Sequence, residues 1–427
     1  MILDIETCGR IAINTFRSVL IGTLTGVAIT IFANTVSFMG NLNEIHPALS
    51  LLLPFAAYLT MLIYQKLGDA YRKITVEAID RIHEIENPEL KLNHGKISPW
   101  MGVVAYIAAA LSHLSGASVG KEGAGVQIGL SVGELLSRAE KKIIPVHYRG
   151  HEDRYLMCSA AAAFGSLFGS PITGVLFGLS FATPDLIRLD MLYPCIVSSY
   201  FAVIISELLG IHRMVIPWFA ELSFNVENLV IVAVFAALIG LMTRLFICGL
   251  KAFRDIVHKA FGSKAFSAVV PSILVLIAFI FIALFTDDMS YSGLSLDILY
   301  ASIDGRGVPI YAFILKAILV FLSISAGFVG GEVVPLLVTG STFGYAFASI
   351  FGLRTGAFAA LGAIGMLSGG TNLPLVCFAL GLELFSYEEP TLLFAAVSIA
   401  YLCSGETGIY QHQAMALKNK LAKRSEG

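Results

Sequence analysis

Long apolar runs separated by short polar stretches dominate the chain. Mostly apolar residues fill 18–38, 49–64, 101–114, 191–209, 229–248, 268–285, 312–329 and 392–402. A helix needs about 20 apolar residues to cross a hydrocarbon core of ~30 Å, and the pattern predicts spanning helices at these places. Four further apolar segments, 115–136, 157–182, 331–352 and 356–386, are broken by Gly and Pro into pieces too short to span comfortably. Such breaks survive at membrane depth only where protein or a water-filled cavity satisfies the freed backbone groups. They predict a transport site rather than a simple anchor.

The broken segments come in related pairs. "SPITGVLFGLS" (170–180) matches "LPLVCFALGLE" (373–383), with Pro171 over Pro374 and Gly178-Leu179 over Gly381-Leu382. Upstream, "SVGKEGAGVQIG" (118–129) parallels "FVGGEVVPLLVTG" (328–340). The order is the same and the offset nearly so, which disfavours chance likeness among Gly-rich helices. Two related halves with interrupted helices at matching positions point to a transporter built from inverted repeats. The expected organisation is one transmembrane transport domain over 1–427, with halves at about 10–210 and 228–415.

Charge orients this pattern. Arg10 and Arg17 flank the first run, and Lys66, Arg72, Lys73 and Arg81 follow the second, whereas "MGNLNEIHPA" between them has no Lys or Arg. The positive-inside rule predicts a cytoplasmic N terminus. The basic tail "ALKNKLAKRSEG" is expected on the same side and is too short for an appended regulatory domain. "MILDIETCGR" lacks the basic, apolar and small-residue order of a cleaved signal peptide, so the first spanning segment is expected to direct insertion.

Composition agrees with a multi-pass membrane protein: 56% of the 427 residues are hydrophobic and 14% charged, with a mean hydropathy of +0.80. A soluble domain carries roughly 25% charged residues. The net charge of −2 offers nucleic acid no footing. Six scattered cysteines form no Cys-x-x-Cys pair and read as small apolar fillers. No Walker, Gly-x-Ser-x-Gly or His-Glu-x-x-His pattern occurs, which argues against a nucleotide-driven pump or an intramembrane hydrolase; no enzyme activity, cofactor or metal is expected.

"SGASVGKEGAGVQIG" (115–129) places Lys121 and Glu122 among five glycines, between apolar stretches. Glycine lets a backbone approach an ion closely. A helix that starts at such a turn aims free N–H groups and the positive end of its dipole into the gap, which makes an anion site without a buried cation. Glu122 would stand at the mouth of one such helix; "GGEVVP" would bring a second start to the same place, with Pro335 as an early-helix residue. A carboxylate there competes with the anion and can leave once protonated, so it is both gate and proton carrier. An ionisable group at membrane depth is expected to be functional. Lys121 also has a plainer reading, a buried ion pair with Glu122 that fixes the loop.

These motifs resemble those of the CLC family of chloride channels and anion/proton antiporters. Gly120-Lys121-Glu122-Gly123 is similar to the family's Gly-Arg/Lys-Glu-Gly motif, whose glutamate is the external gate. Gly331-Glu332-Val333-Val334-Pro335 stands where the family commonly has Gly-x-Phe-x-Pro, and "SGETGIY" ends in Tyr410 at the place of the tyrosine that reaches the central anion. The resemblance runs from about 97 to 413. It implies an all-α polytopic fold of short, broken, tilted helices in two inverted halves, a homodimer with one pathway per subunit, and a bacterial-type plasma membrane.

Details resemble the family's fluoride-exporting branch: Val333 replaces the usual phenylalanine, and "GGEVVPLLVTGSTFG", "TNLPLVCFALGLELF" and "YLCSGETGIYQHQ" look like that branch's versions. The implied function is fluoride/proton antiport, with Glu122 as gate and proton carrier. The anion site it implies includes Gly120, Lys121, Gly123, Glu332, Val333, Val334, Tyr410 and Thr75. The alternative is a chloride channel or chloride/proton antiporter. Two departures stand out. The family's Gly-Ser-Gly-x-Pro motif has no counterpart in "AYRKITVEAIDRIHE" (70–84), where counting back from "RIHE" suggests Thr75 for its serine. The inner proton-gate glutamate of chloride antiporters falls on Ser180-Phe181.

Other polar residues have readings of their own. His147 and His151, four apart, could form a metal pair, but they sit in a charged connection, and no metal site is expected. Glu332 offers either its backbone N–H or a second proton or ion-pair role. Glu383 reads as structural. Lys316, in an apolar helix, is expected to snorkel or to pair with an acid. Asp287-Asp288 and Asp304-Gly305-Arg306 read as solvated loops. Tyr410, just before the basic tail, predicts a helix whose N-terminal end reaches the pathway; the alternative is an interfacial anchor.

Overall fold

In the computed structural model the apolar runs fold into helices, and no strand forms among the described residues, which are 5–86, 97–144, 151–184, 187–211, 222–262, 265–286, 290–385, 390–410 and 412–413. The first set is α1 (Ile5–Ile45), α2 (Leu53–Leu67), α3 (Ile74–Glu86), α4 (Pro99–Leu114), α5 (Glu122–Ile143), α6 (Glu152–Phe168), α7 (Pro171–Ser180) and α8 (Leu192–Leu208). The second is α9 (Val226–Phe261), α10 (Val269–Thr286), α11 (Leu296–Ile303), α12 (Ala312–Ser325), α13 (Val333–Phe351), α14 (Thr355–Thr371), α15 (Pro374–Phe385) and α16 (Pro390–Cys403). Among the described residues five stretches are long and apolar enough to cross a membrane: Gly9–Ile45, Pro47–Leu67, Leu189–Leu208, Val226–Phe261 and Val333–Phe351.

Several bounds differ from the apolar pattern. The run 18–38 lies within α1, 41 residues and roughly 60 Å long at 1.5 Å per residue, so the helix tilts or extends past the hydrocarbon. The run 229–248 likewise extends into the 36-residue α9. The run 312–329 ends early: α12 stops at Ser325, and Gly327, at φ 91°, turns the chain out of the helix. Helices α3 and α11 lie outside the predicted spans.

The breaks at 157–182 and 356–386 have one cause. Gly169 (φ 66°) ends α6 in the left-handed region, and Pro171 begins α7. Asn372 (φ 60°) ends α14 in the same way, and Pro374 begins α15. A left-handed stop followed by a proline at the next helix start makes a sharp reversal. Every residue from Tyr155 to Phe168 in α6, and from Ala357 to Thr371 in α14, is buried. These two helices are rich in Ala, Gly and Ser, which lets neighbours approach closely; at the α13–α14 contact a Cβ added to Gly344 would lie 1.9 Å from the Phe358 carbonyl oxygen.

Charges gather at one end of the bundle. Arg17 Nε of α1 donates to Glu140 Oε1 near the end of α5 at 2.7 Å, and Arg188 Nη2 pairs with Asp153 Oδ2 at the start of α6 at 3.1 Å. Arg81 of α3 bonds Glu134 at 3.1 Å and also Glu152. The chain after α16 reaches this end as well, where Gln413 Nε2 donates to Phe181 O at 3.0 Å.

Two charges, Glu383 half-buried and Lys316 fully buried, take structural posts. Glu383 of α15 accepts from Ile172 N (2.9 Å), Thr173 N (2.8 Å) and Thr173 Oγ1 (2.6 Å), capping α7 across the two halves. Lys316 corrects the expectation: it neither snorkels nor pairs with an acid. It is 0% exposed, and its Nζ donates to Ser118 Oγ and Ser295 Oγ (each 2.7 Å), Gly293 O (3.0 Å) and Tyr291 O (3.4 Å). Asp304 and Arg306 form an exposed pair at 2.7 Å, as a solvated loop should. His147, Asp287 and Asp288 lie outside the described residues.

Candidate functional site

The approaches to α5 and α13 meet head to head. Gly116 (φ 76°) and Gly327 (φ 91°) turn the chain out of α4 and α12. Gly120 N donates to Gly331 O at 2.8 Å, and Gly331 N returns to Gly120 O at 2.8 Å. Two side chains extend the symmetry: Ser118 N donates to Ser323 Oγ, and Val329 N to Ser112 Oγ, each at 3.1 Å. One spacing separates Gly116 from Gly327, Ser112 from Ser323, Ser118 from Val329, and Gly120 from Gly331. This clasp leaves the N-terminal amides of α5 and α13, two positive dipole ends, converging on one place.

Glu122 is the first residue of α5, 1% exposed. Its side chain folds back over Gly120, where an added Cβ would lie 2.6 Å from Oε2 and 3.0 Å from Pro335 Cδ. The backbone N–H groups of Glu122 itself, Val334 and Lys121 face the carboxylate, yet neither oxygen is in hydrogen-bond geometry with a protein donor. A carboxylate carried by α5 thus stands at the mouth of α13. Lys121 is the N-cap residue, half-buried; it makes no hydrogen bond to those oxygens and acts on the carboxylate through its charge alone. Gly123 packs against the opposite approach, where an added Cβ would lie 3.0 Å from Gly331 Cα.

The second half supplies amides without a carboxylate at the matching place, because Val333 is the counterpart of Glu122. Val333 and Val334 are 2% and 1% exposed. Glu332 caps α13, and its Oε1 lies 4.0 Å from Arg254 Nη2 of α9. The two cap residues, Lys121 and Glu332, are opposite in charge.

Tyr410 lies near enough to Glu332, Cys377 and Glu122 to feel their charged forms. It ends the irregular segment 404–410, and the helix expected to begin there falls on residues mostly outside the described ones. Its ring meets Phe177 of α7 at 5.9 Å and 58°, and it lines a cleft of ≈ 290 Å³ with Lys251, Asn372, Glu406, His412 and Gln413. Thr75 is the second residue of α3, half-buried, and forms no hydrogen bond with these groups. No group of three or more His, Cys, Asp or Glu that could hold a metal occurs among the described residues.

Two features escaped the sequence reading. Phe164 and Phe177 stack at 4.2 Å, and Phe177 and Phe181 at 5.4 Å, so a ladder of rings ends on Tyr410; only the i, i+4 spacing of Phe177 and Phe181 hinted at it. Ser112 and Ser323 form the outer bonds of the clasp, and the sequence match, with 118 over 328, sets Ser112 against Leu322 and so hides the pair.

The sequence model of the voltage gated chloride channel family matches residues 56–405. The chloride/fluoride channel protein of Pseudomonas syringae pv. tomato is 29% identical over 399 residues, 92% of this chain and 84% of that protein. The H(+)/Cl(-) exchange transporter ClcA of Vibrio cholerae is 23% identical over 326 residues, 73% of this chain and 69% of its own. Among solved structures, a CLC-type fluoride/proton antiporter superposes with a TM-score of 0.85 at 24% identity, covering 95% of this chain and 98% of the other. A slow cyanobacterial Cl-/H+ antiporter gives 0.72 at 18% identity, covering 96% and 99%. These superpositions establish a shared all-α fold of broken helices. The family match runs from within α2 to just past α16, and the chain belongs to the voltage gated chloride channel, or CLC, family.

Proposed function

We propose that this protein is a fluoride/proton antiporter that exports fluoride, with Glu122 as gate and proton carrier. The carrying observation is the Glu122 carboxylate, buried and without a protein hydrogen-bond donor, at the N-terminal amides of α13. Those amides suit a small anion. An arriving anion displaces the carboxylate; a carboxyl that has taken a proton needs no counter-charge and swings clear. Anion and proton then use one place in turn.

Fluoride fits the donor set. It is small and strongly hydrated, so it needs strong donors at close range. The amides around Gly120–Gly123 and Glu332–Val334 and the Tyr410 hydroxyl or ring edge are such donors, and Lys121 adds positive charge beside them. The likenesses to a chloride/fluoride channel protein and to the fold of a fluoride/proton antiporter favour the same ion. Acid chemistry supplies the purpose: fluoride enters a cell as neutral HF, is trapped on ionisation, and leaves against inward-moving protons. The reading includes a homodimer in a bacterial-type plasma membrane with cytoplasmic termini.

Liposome flux with fluoride, chloride and pH electrodes tests it. Fluoride should outpace chloride by roughly tenfold, on the order of 1.4 kcal/mol in barrier height, and a proton gradient should drive it uphill. Equal fluxes would assign the chain to the chloride transporters, and fluoride flux without proton movement would make it a channel.

A further inference from the structure

The segment that carries Tyr410 is tied down on both sides of it. On one side Ile409 N donates to Gly370 O of α14 at 2.8 Å. Gly408 passes so close to the end of α14 that an added Cβ would lie 2.4 Å from Asn372 Nδ2. On the other side His412, at φ 65°, turns the strap. Its Nδ1 lies 2.9 and 3.0 Å from the two oxygens of Asp80 on α3. Gln413 Nε2 donates to Phe181 O at 3.0 Å. Phe181 stacks on Phe177, the ring that meets Tyr410. The helix end that offers Tyr410 its ring contact therefore also holds the strap.

We propose that Asp80 and His412 form a latch that positions Tyr410 in the pathway. The pair fixes the far end of the strap to α3 and so sets how far the Tyr410 ring reaches toward Glu122. Both are positioning residues and touch no transported ion. The proposal rests on the reading of Tyr410 as an anion ligand. Helix α3 is itself braced, since Arg81 bonds Glu134 and Glu152, so movement on release falls on the strap. Asp80 is nearly buried, its side chain 12% exposed, while the His412 side chain is 57% exposed. A pair with one partner this open to solvent adds little to overall stability, so breaking it loosens the strap and spares the fold.

The test is the half-saturating fluoride concentration on the tail side of the purified protein in liposomes, measured beside the maximal rate. Asp80→Ala and His412→Ala should each raise half-saturation by roughly threefold or more, and the double variant should go no further than either single one, as for two residues acting as a unit. His412→Asn should restore the wild-type value, because Asn keeps a donor near Nδ1 and tolerates the left-handed backbone. In a Tyr410→Ala background, Asp80→Ala should add nothing. Unchanged half-saturation in both single variants, with Tyr410→Ala impaired, overturns the latch alone. A full additional loss in the Tyr410→Ala background also overturns it, because Asp80 then acts elsewhere. An unimpaired Tyr410→Ala overturns the ligand reading and the latch with it. Should Asp80→Ala fail to fold, His412→Ala, at the exposed end, carries the same comparison.

Discussion

Gly120 and Gly331 exchange a reciprocal pair of backbone hydrogen bonds, each 2.8 Å, and this contact joins the two halves of the protein at the mouths of α5 and α13. Both helix starts are held by one short bridge, so a disturbance of either approach reaches the carboxylate of Glu122.

Gly331→Ala should damage stability and transport together. An added Cβ would lie 2.5 Å from Gly123 N and 3.2 Å from Glu122 N, both backbone atoms that cannot swing aside. The expected cost is about 1–3 kcal/mol, seen as a lower unfolding temperature in detergent with reduced fluoride flux in liposomes. An unchanged melt would mean that the two approaches do not meet this closely.

Glu122→Gln should abolish proton-coupled transport. The amide resembles the neutral carboxyl in shape but can neither gain nor lose a proton. Proton uptake recorded beside fluoride efflux should fall to the level of empty liposomes. Proton movement at the wild-type rate would remove Glu122 from the mechanism.

Tyr410 separates by paired substitutions. Tyr410→Phe keeps the ring edge, which carries partial positive charge, and loses the hydroxyl donor; Tyr410→Ala loses both. A ring-edge ligand predicts near-normal flux in Phe and little in Ala. A hydroxyl ligand predicts that both fail, and an interfacial anchor predicts that both keep coupled flux at equal protein content.

Lys316→Met should destabilise the protein. The thioether fills the stem's place but leaves the Ser118 and Ser295 hydroxyls and the Gly293 and Tyr291 carbonyls without their shared donor. Buried groups left unsatisfied cost about 1–3 kcal/mol each. Chemical denaturation in detergent reads this as an earlier midpoint, and a midpoint matching the wild type would show that these oxygens find water or other donors instead.

The chain announced its class through local features. Run length and charge at the run ends speak of membrane helices. The order left-handed residue, then proline, at Gly169–Pro171 and Asn372–Pro374 speaks of sharp reversals. The glycines around Glu122 marked a helix start made for close approach. All of these are decided within a few residues, by backbone sterics and by the cost of polar groups in lipid.

Tertiary structure alone decided the partners. No local pattern tells that the Ser112 and Ser323 hydroxyls cross to the opposite approach, or that a carboxylate on α5 stands at the amides of α13. The apolar setting of Lys316 suggested an acid or an escape to the surface; packing instead enclosed it in neutral oxygens drawn from two separate segments, at Ser118 and at 291–295. The sequence around Tyr410 does not tell that bonds to α14, and from the residues just after it to α3 and the end of α7, hold its segment as a strap. Each pairing joins residues far apart along the chain. Sequence spacing carries no distance between such residues; only the packing of the two halves against each other brings them within the ~3 Å at which hydrogen bonds act.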